Sequence, residues 1–211
     1  MVNCTYTRHS AIPDGLLNST ITTLVFEFNA LTAVPTTQLA QAPYLEVLNL
    51  NYNLITAIMN DSFSTTPNLR VLRLGGNILL REMDVDVFNP IPFLTELSIV
   101  ETGLTTLSRN HFAPLTRLQT LIFAANYEMN PTPDLFAALR KVNAVDIWNC
   151  GALSTALANQ SFGLSTLPRL TRLFVLRRSY CRVNFPNENL RAASLVRVIA
   201  KFIINSPDAT V

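Results

Sequence analysis

One spacing recurs along this chain and restricts its fold more than any other feature. In "LEVLNLNYNLITAI", residues 45–58, apolar side chains stand at Leu45, Leu48, Leu50, Ile55 and Ile58, with Asn53 between them. That pattern is neither the even alternation of a strand nor the three-and-four rhythm of a helix. It returns as Ile21, Leu24, Phe26, Asn29, Leu31 and Val34 upstream, and as Leu69, Leu72, Leu74, Asn77 and Leu79 downstream. Further copies are Leu94, Leu97, Ile99, Thr102, Leu104 and Leu107, then Leu118, Leu121, Phe123 and Asn126, then Val142, Val145, Ile147 and Cys150. A seventh, Leu170, Leu173 and Val175, fades after its third position. The copies start at 21, 45, 69, 94, 118, 142 and 170, in steps of 24, 24, 25, 24, 24 and 28 residues. Chance does not produce such a series.

A period of this length predicts a chain wound into stacked turns, each burying its apolar face only against its neighbours. Within a turn, two apolar residues separated by one position read as a short strand with both side chains inward. The Asn turns the chain out of the strand, and its amide can bond backbone groups of neighbouring turns. Leu39, Phe63, Phe88, Phe112, Phe136 and Phe162 form a second column, 18 to 20 residues after each start. An aromatic stripe could line a cofactor, but at the repeat spacing core packing explains it.

This pattern resembles the leucine-rich repeat family, whose core motif is L-x-x-L-x-L-x-x-N/C-x-L, and the resemblance covers residues 12–178. It implies an α/β, right-handed solenoid: a curved horseshoe with a parallel sheet on its concave face and short helices or loops on its convex face. The phenylalanine column is similar to the spine of the family's 24-residue, extracellular-type class. Cys150 stands where the family accepts Cys for Asn, which implies a buried structural thiol. The stretch "CTYTRHSAIPDGLL" resembles the closing half of the family's cysteine-bearing N-terminal cap. A full cap carries further cysteines upstream, and only Cys4 is present here. Either the cap has lost its disulfides or the chain lacks residues of the native gene product. The expected organisation is a cap over residues 1–20, about seven repeats over 21–178, and a C-terminal cap over 179–211. In that last segment, "NENLRAASLVRVIAKFII" predicts an amphipathic helix. Leu195, Val196, Ile199, Phe202 and Ile203 share one face, opposite Arg191, Ser194, Arg197 and Lys201. Asn187 or Asn189 would be its N-cap. A lid over the last repeat is the simplest role, and a membrane-surface or partner helix is the alternative.

Composition then narrows the function. The 211 residues permit one domain, and although 49% are hydrophobic, no apolar run approaches the ~20 residues of a membrane span. The opening "MVNCTYTRHSAIPDG" lacks the apolar segment of a signal peptide. Three cysteines (Cys4, Cys150, Cys181) and two histidines, none at zinc-finger spacing, predict neither a disulfide framework nor a structural metal. No nucleophile elbow, zinc-protease motif, phosphate loop or dinucleotide fingerprint is present. His111 reads as an exposed loop residue, and Asp84 and Asp86 as solvated loop carboxylates. Neither catalysis nor a cofactor is expected. Residues 1–168 carry 8 basic and 12 acidic side chains, and residues 169–211 carry 8 basic and 2 acidic. The basic C-terminal third fits an acidic partner or simply a solvated edge. Nucleic acid is not expected, because no aromatic residues interleave with the basic ones. Asn3, Asn18, Asn60 and Asn159 begin N-x-S/T sequons and are glycosylation candidates, although their number is close to what chance gives.

The register also names the outward positions of the concave sheet. One row is Val25, Asn49, Arg73, Ser98, Ile122, Asp146 and Phe174. The next is Glu27, Asn51, Gly75, Val100, Ala124, Trp148 and Leu176, and the last is Phe28, Tyr52, Gly76, Glu101, Ala125, Asn149 and Arg177. Aromatic residues and arginine make interface hot spots. The face is therefore expected to bind a protein or peptide through Trp148, Asp146, Ile122, Phe174, Tyr127 and Arg73, unless Trp148 merely packs on the sheet. Gly75 and Gly76 leave a flat notch that either admits a partner's backbone or relieves crowding. The resemblance to extracellular members implies a cell-surface receptor, adhesion or secreted protein. An intracellular scaffold or inhibitor is the alternative, given the absent signal sequence and unpaired cysteines.

Overall fold

The computed structural model describes residues 1–130, 132, 134–148, 167–176 and 197–198, with the backbone alone at 148, 172–176 and 197–198. In chain order the elements begin with β1 (Val2–Asn3), β2 (Thr23–Val25), the helical turn α1 (Thr36–Leu39), β3 (Val47–Asn49) and β4 (Ala57–Ile58). They continue with β5 (Val71–Arg73), β6 (Glu82–Met83), β7 (Glu96–Val100), α2 (Arg109–Phe112) and β8 (Thr120–Ala124). The last are β9 (Ala144–Trp148), β10 (Arg172–Leu176) and β11 (Arg197–Val198). Among the described residues β1, β2, β3, β5, β7, β8, β9, β10 and β11 lie side by side in one sheet, and each pairs with its neighbours in parallel. A second sheet of β4 and β6 lies apart from it. One strand per repeat, always parallel and always beside the previous one, is a leucine-rich repeat solenoid.

The core is the repeat read in three dimensions. Leu24, Leu48, Leu72, Leu97, Leu121 and Val145 align strand to strand and are fully buried. Phe26, Leu50, Leu74, Ile99, Phe123 and Ile147 form the second buried column. Each such side chain contributes roughly 1.5–3 kcal/mol by leaving water. Beneath the turns on the other side, Leu39, Phe63, Phe88, Phe112 and Phe136 are all fully buried. Phe88 and Phe112 stack at 6.4 Å, and Phe112 and Phe136 lie 6.0 Å apart.

The Asn position supplies the polar link between turns. Asn53 Nδ2 donates to Phe26 O at 2.9 Å and Leu50 O at 3.1 Å, while its Oδ1 accepts the Leu31 N–H at 3.1 Å. Asn77 repeats this with Leu50 O, Leu74 O and the Ile55 N–H. A side chain with both donor and acceptor is needed there, because each turn exposes both kinds of backbone group toward its neighbour. Thr102 replaces Asn and bonds through its N–H and Oγ to Asn126 Oδ1, at 3.0 and 2.7 Å. One residue earlier in each turn the backbone is left-handed: Phe28, Tyr52, Glu101 and Ala125 have φ of 53, 53, 54 and 54°, and Gly76 has 72°. An L-residue pays roughly 1–2 kcal/mol for that conformation, so the tight exit from each strand is held by the bonds around it.

Several expectations change. Leu79 is 44% exposed and Leu80 takes the inward place, because the turn closed by the Leu80 N–H on Asn77 O carries the chain one residue further. His111 is not a free loop residue. It is half-buried, its Nδ1 accepts the Ser108 N–H at 3.1 Å, and its Nε2 lies 3.2 Å from Met83 O. Residues 2–6 behave as a further rung: Cys4 N and Tyr6 N donate to Val25 O and Glu27 O, as Phe26 N and Phe28 N donate to Asn49 O and Asn51 O. Cys4 is a free thiol at an inward position of that rung. At the other end, residues 197–198 pair with β10 as a strand, where the amphipathic pattern predicts helix. The rest of that predicted helix, with Cys150, Phe162 and Cys181, lies outside the described residues.

Candidate recognition surface

The sheet face opposite the core is built by parity: in each strand the residues flanking an inward leucine point outward. Along the central row Asn3, Val25, Asn49, Arg73, Ser98, Ile122, Asp146 and Phe174 are consecutive partners. Four of the candidate residues, Arg73, Ile122, Asp146 and Phe174, thus belong to one line across five strands. Trp148 is aligned with Leu176 one row over. Tyr127 is not in the sheet; it stands 55% exposed on the turn after Asn126, at the rim of the face. The same parity gives a further outward row, Thr23, Val47, Val71, Glu96, Thr120 and Ala144, which precedes the first inward leucine of each strand and is not among the three rows read from the sequence.

The N-terminal part of this surface is internally bonded. Asn49 Nδ2 donates to Glu27 Oε1, and Asn51 Oδ1 accepts the Gly75 N–H at 2.7 Å. Arg73 holds Glu96 through Nε at 2.9 Å and its terminal nitrogen at 2.8 Å. At the strand exits Tyr6, Phe28 and Tyr52 stack with centroids 4.2 and 4.3 Å apart, tilted by 13 and 8°. Gly76 holds the fourth place in that column. A Cβ there would lie 2.3 Å from Tyr52 Cδ1, and one on Gly75 would lie 3.3 Å from Asn51 Oδ1. The glycine pair is therefore no open notch; Tyr52 and Asn51 already occupy the space.

The other part is different. Val100 is half-buried and Ala124 is buried, while Ile122 is half-buried, and between Ile122 and Phe174 sits Asp146, whose Oδ1 is buried without a hydrogen-bond partner. Burial holds its pKa above the ordinary carboxylate value by penalising the charged form. Among the described residues no group of three or more His, Cys, Asp or Glu is placed to hold a metal, and no helix is long and apolar enough to cross a membrane. Of the sequons, Asn3, Asn18 and Asn60 are exposed. Asn18 Oδ1 accepts the Thr20 hydroxyl at 2.6 Å, whereas Ser62 of the Asn60 sequon is buried and accepts the Met59 N–H. Asn159 lies outside the described residues.

Comparison with known proteins agrees with this geometry. Residues 19–79 match the family model described as Leucine rich repeat. The fold is similar to a chain of the Toll–Spatzle complex of Drosophila, with a TM-score of 0.60 and 14% identity over 74% of this chain and 21% of that one. It is also similar to a chain of the TLR13–ssRNA13 complex, with a TM-score of 0.55 and 27% identity over 68% of this chain and 20% of that one. The chain spans about a fifth of the length of either solved chain. No curated protein matches it. The class these findings support is a leucine-rich repeat interaction module.

Proposed function

We propose that the protein is a non-catalytic recognition module that binds a protein or peptide on its concave sheet face. The observation that carries this reading is the unbroken outward row from Arg73 through Ile122 and Asp146 to Phe174, with Trp148 one row away. Rigid parallel strands hold that row in place without loops that must order on binding, which keeps the entropic cost of association low. The spacing and the buried phenylalanines support membership of the 24-residue, extracellular-type class, and with it the reading of a receptor ectodomain, an adhesion protein or a secreted protein. The likeness to a chain from a Toll–Spatzle complex supports the receptor reading at the level of fold. In that setting Asn3 and Asn18, both exposed with the hydroxyls of Thr5 and Thr20 donating to their side-chain oxygens at 2.6 Å, are the glycan acceptors best prepared among the described sequons. A second reading, an intracellular scaffold, draws on the free Cys4 thiol.

Binding of the chain to an arrayed set of cell-surface and secreted proteins tests the first reading, with Trp148→Ala and Ile122→Glu as paired variants. A partner lost by both variants, while circular dichroism stays unchanged, supports the concave face. A partner retained by both overturns it. The intact mass of the protein from its native source, before and after removal of N-glycans, decides between the two compartments.

A further inference from the structure

We propose that Asp146 is the anchor for a cationic side chain, an arginine or lysine flanked by apolar residues, carried by the protein or peptide that binds the sheet face. This rests on the concave-face reading above and names the chemistry of its partner. Asp146 lies mid-strand in β9, in register with Ile122 on one side and Phe174 on the other. Its Oδ1 is buried and bonded to nothing. A carboxylate oxygen in that setting is unfavourable for folding, and no hydrogen bond to that oxygen offsets it. Elsewhere on the face Glu27 is bonded by Asn49, Asn51 by the Gly75 N–H, and Glu96 by Arg73. The register puts Arg172 opposite Ala144 on the neighbouring strand, and Asp146 Oδ1 is left without a hydrogen-bond partner. A local rule broken without internal compensation is expected where a ligand group completes the arrangement.

Charge and shape select the ligand. The sheet face and its strand exits carry the carboxylates Glu27, Glu96, Glu101 and Asp146 against the guanidinium of Arg73, which Glu96 already holds, and Arg172, which the register puts in the row of Ala144. A polyanion would meet repulsion along this surface, and a neutral donor would leave the charge unbalanced. An ammonium or guanidinium supplies both donors and charge, and its aliphatic stem suits the half-buried Ile122 alongside. Because the side chain is half-exposed, rotation about Cβ–Cγ exchanges the two oxygens. A cation at the surface then meets a carboxylate that has one oxygen without a hydrogen bond.

The test is selection of short random peptides on the full chain, followed by affinity measurement of the enriched sequences. Enriched peptides should carry Arg or Lys between apolar residues. Asp146→Asn should weaken them about tenfold or more, as expected for loss of a charged hydrogen bond. Replacing the peptide's arginine with citrulline should cost the same factor, and the two changes together should cost no more than either alone. Peptides that are lost on Ile122→Glu but lack a basic residue, or are indifferent to Asp146→Asn, overturn this proposal and leave the concave-face reading standing. Peptides indifferent to Ile122→Glu, or no enrichment at all, overturn both.

Discussion

The two halves of the sheet face share one backbone plan and differ in how their polar groups are used. From β1 to β5 the outward amides and charges bond one another, and three rings stack over the strand exits and fill the space above Gly76. From β7 to β9 the strands lengthen from three residues to five, the added outward row is the apolar Val100, Ala124 and Trp148, and one carboxylate is left with a buried oxygen unbonded. A surface that satisfies itself has little left to offer a ligand. The first half uses its polar groups for stability, and the second is the half to which we assign binding.

If the contrast is confined to the surface, the core beneath must be uniform, and that gives the largest predicted effect. Phe63 lies under the first half and Phe112 under the second, both fully buried. Phe63→Ala and Phe112→Ala should each cost about 4 kcal/mol in urea unfolding. Costs that agree within about 1 kcal/mol support a common core, because solenoid stability adds turn by turn. A much cheaper Phe112→Ala would mean that the second half differs inside as well as outside, and the comparison would fail.

Gly76 tests whether the ring stack is a closed structural unit. Gly76→Ala meets two penalties: left-handed backbone at φ 72° and a Cβ at 2.3 Å from Tyr52, whose ring is held against Phe28. The first is worth about 1 kcal/mol and the crowding about 2 kcal/mol more. In a Tyr52→Ala background only the backbone part should remain, so a double-mutant cycle separates the two. Ala125 adopts the same backbone in the second half with φ 54°, which is why crowding, and not the conformation itself, is the term peculiar to the first half. An unchanged cost in the double variant would show that Tyr52 moves freely and that the stack is not closed.

The two inward strand columns from β2 to β9 were legible in the sequence, because a period of 24 or 25 residues leaves a parallel sheet only one register. The central row from Val25 to Phe174 followed from that register, and so did the ladder positions of Asn53 and Asn77. What could not be read depended on single-residue choices inside a turn. Leu79 and Leu80 are equally apolar, and only the turn after Asn77 decides which goes inside. The rung at residues 2–6 shows just Val2 and Cys4 for its inward pair and Thr7 at the Asn position, too weak a match to a leucine pattern. Thr102 in the same place was the clue that Thr serves there. The sequence placed Asp146 in the row, but that one of its oxygens would have no partner is a matter of angles and distances that composition does not carry.

That oxygen yields the smallest effect on stability and the sharpest test of the contrast, since it runs opposite to the others. Burial raises the Asp146 pKa in the folded chain. The fold therefore holds the proton to higher pH than the unfolded chain does. Between the ordinary carboxylate value and the raised one, the native state binds more protons, so stability falls as pH rises through this window. Above it, the charged side chain lowers stability by a constant amount. Asp146→Asn removes the charge and keeps the shape. It should raise stability near neutral pH by about 1 kcal/mol, because the amide still leaves one enclosed polar atom unbonded and only the added cost of burying charge is removed. The gain should shrink toward zero below the ordinary carboxylate range, where Asp146 is neutral in both states. Thermal melts of the two proteins across the acidic range measure this directly. A gain at neutral pH together with weaker peptide binding would show one residue serving recognition at the expense of the fold. A loss of stability would mean that the carboxylate has an internal partner after all, and the two halves would then be alike.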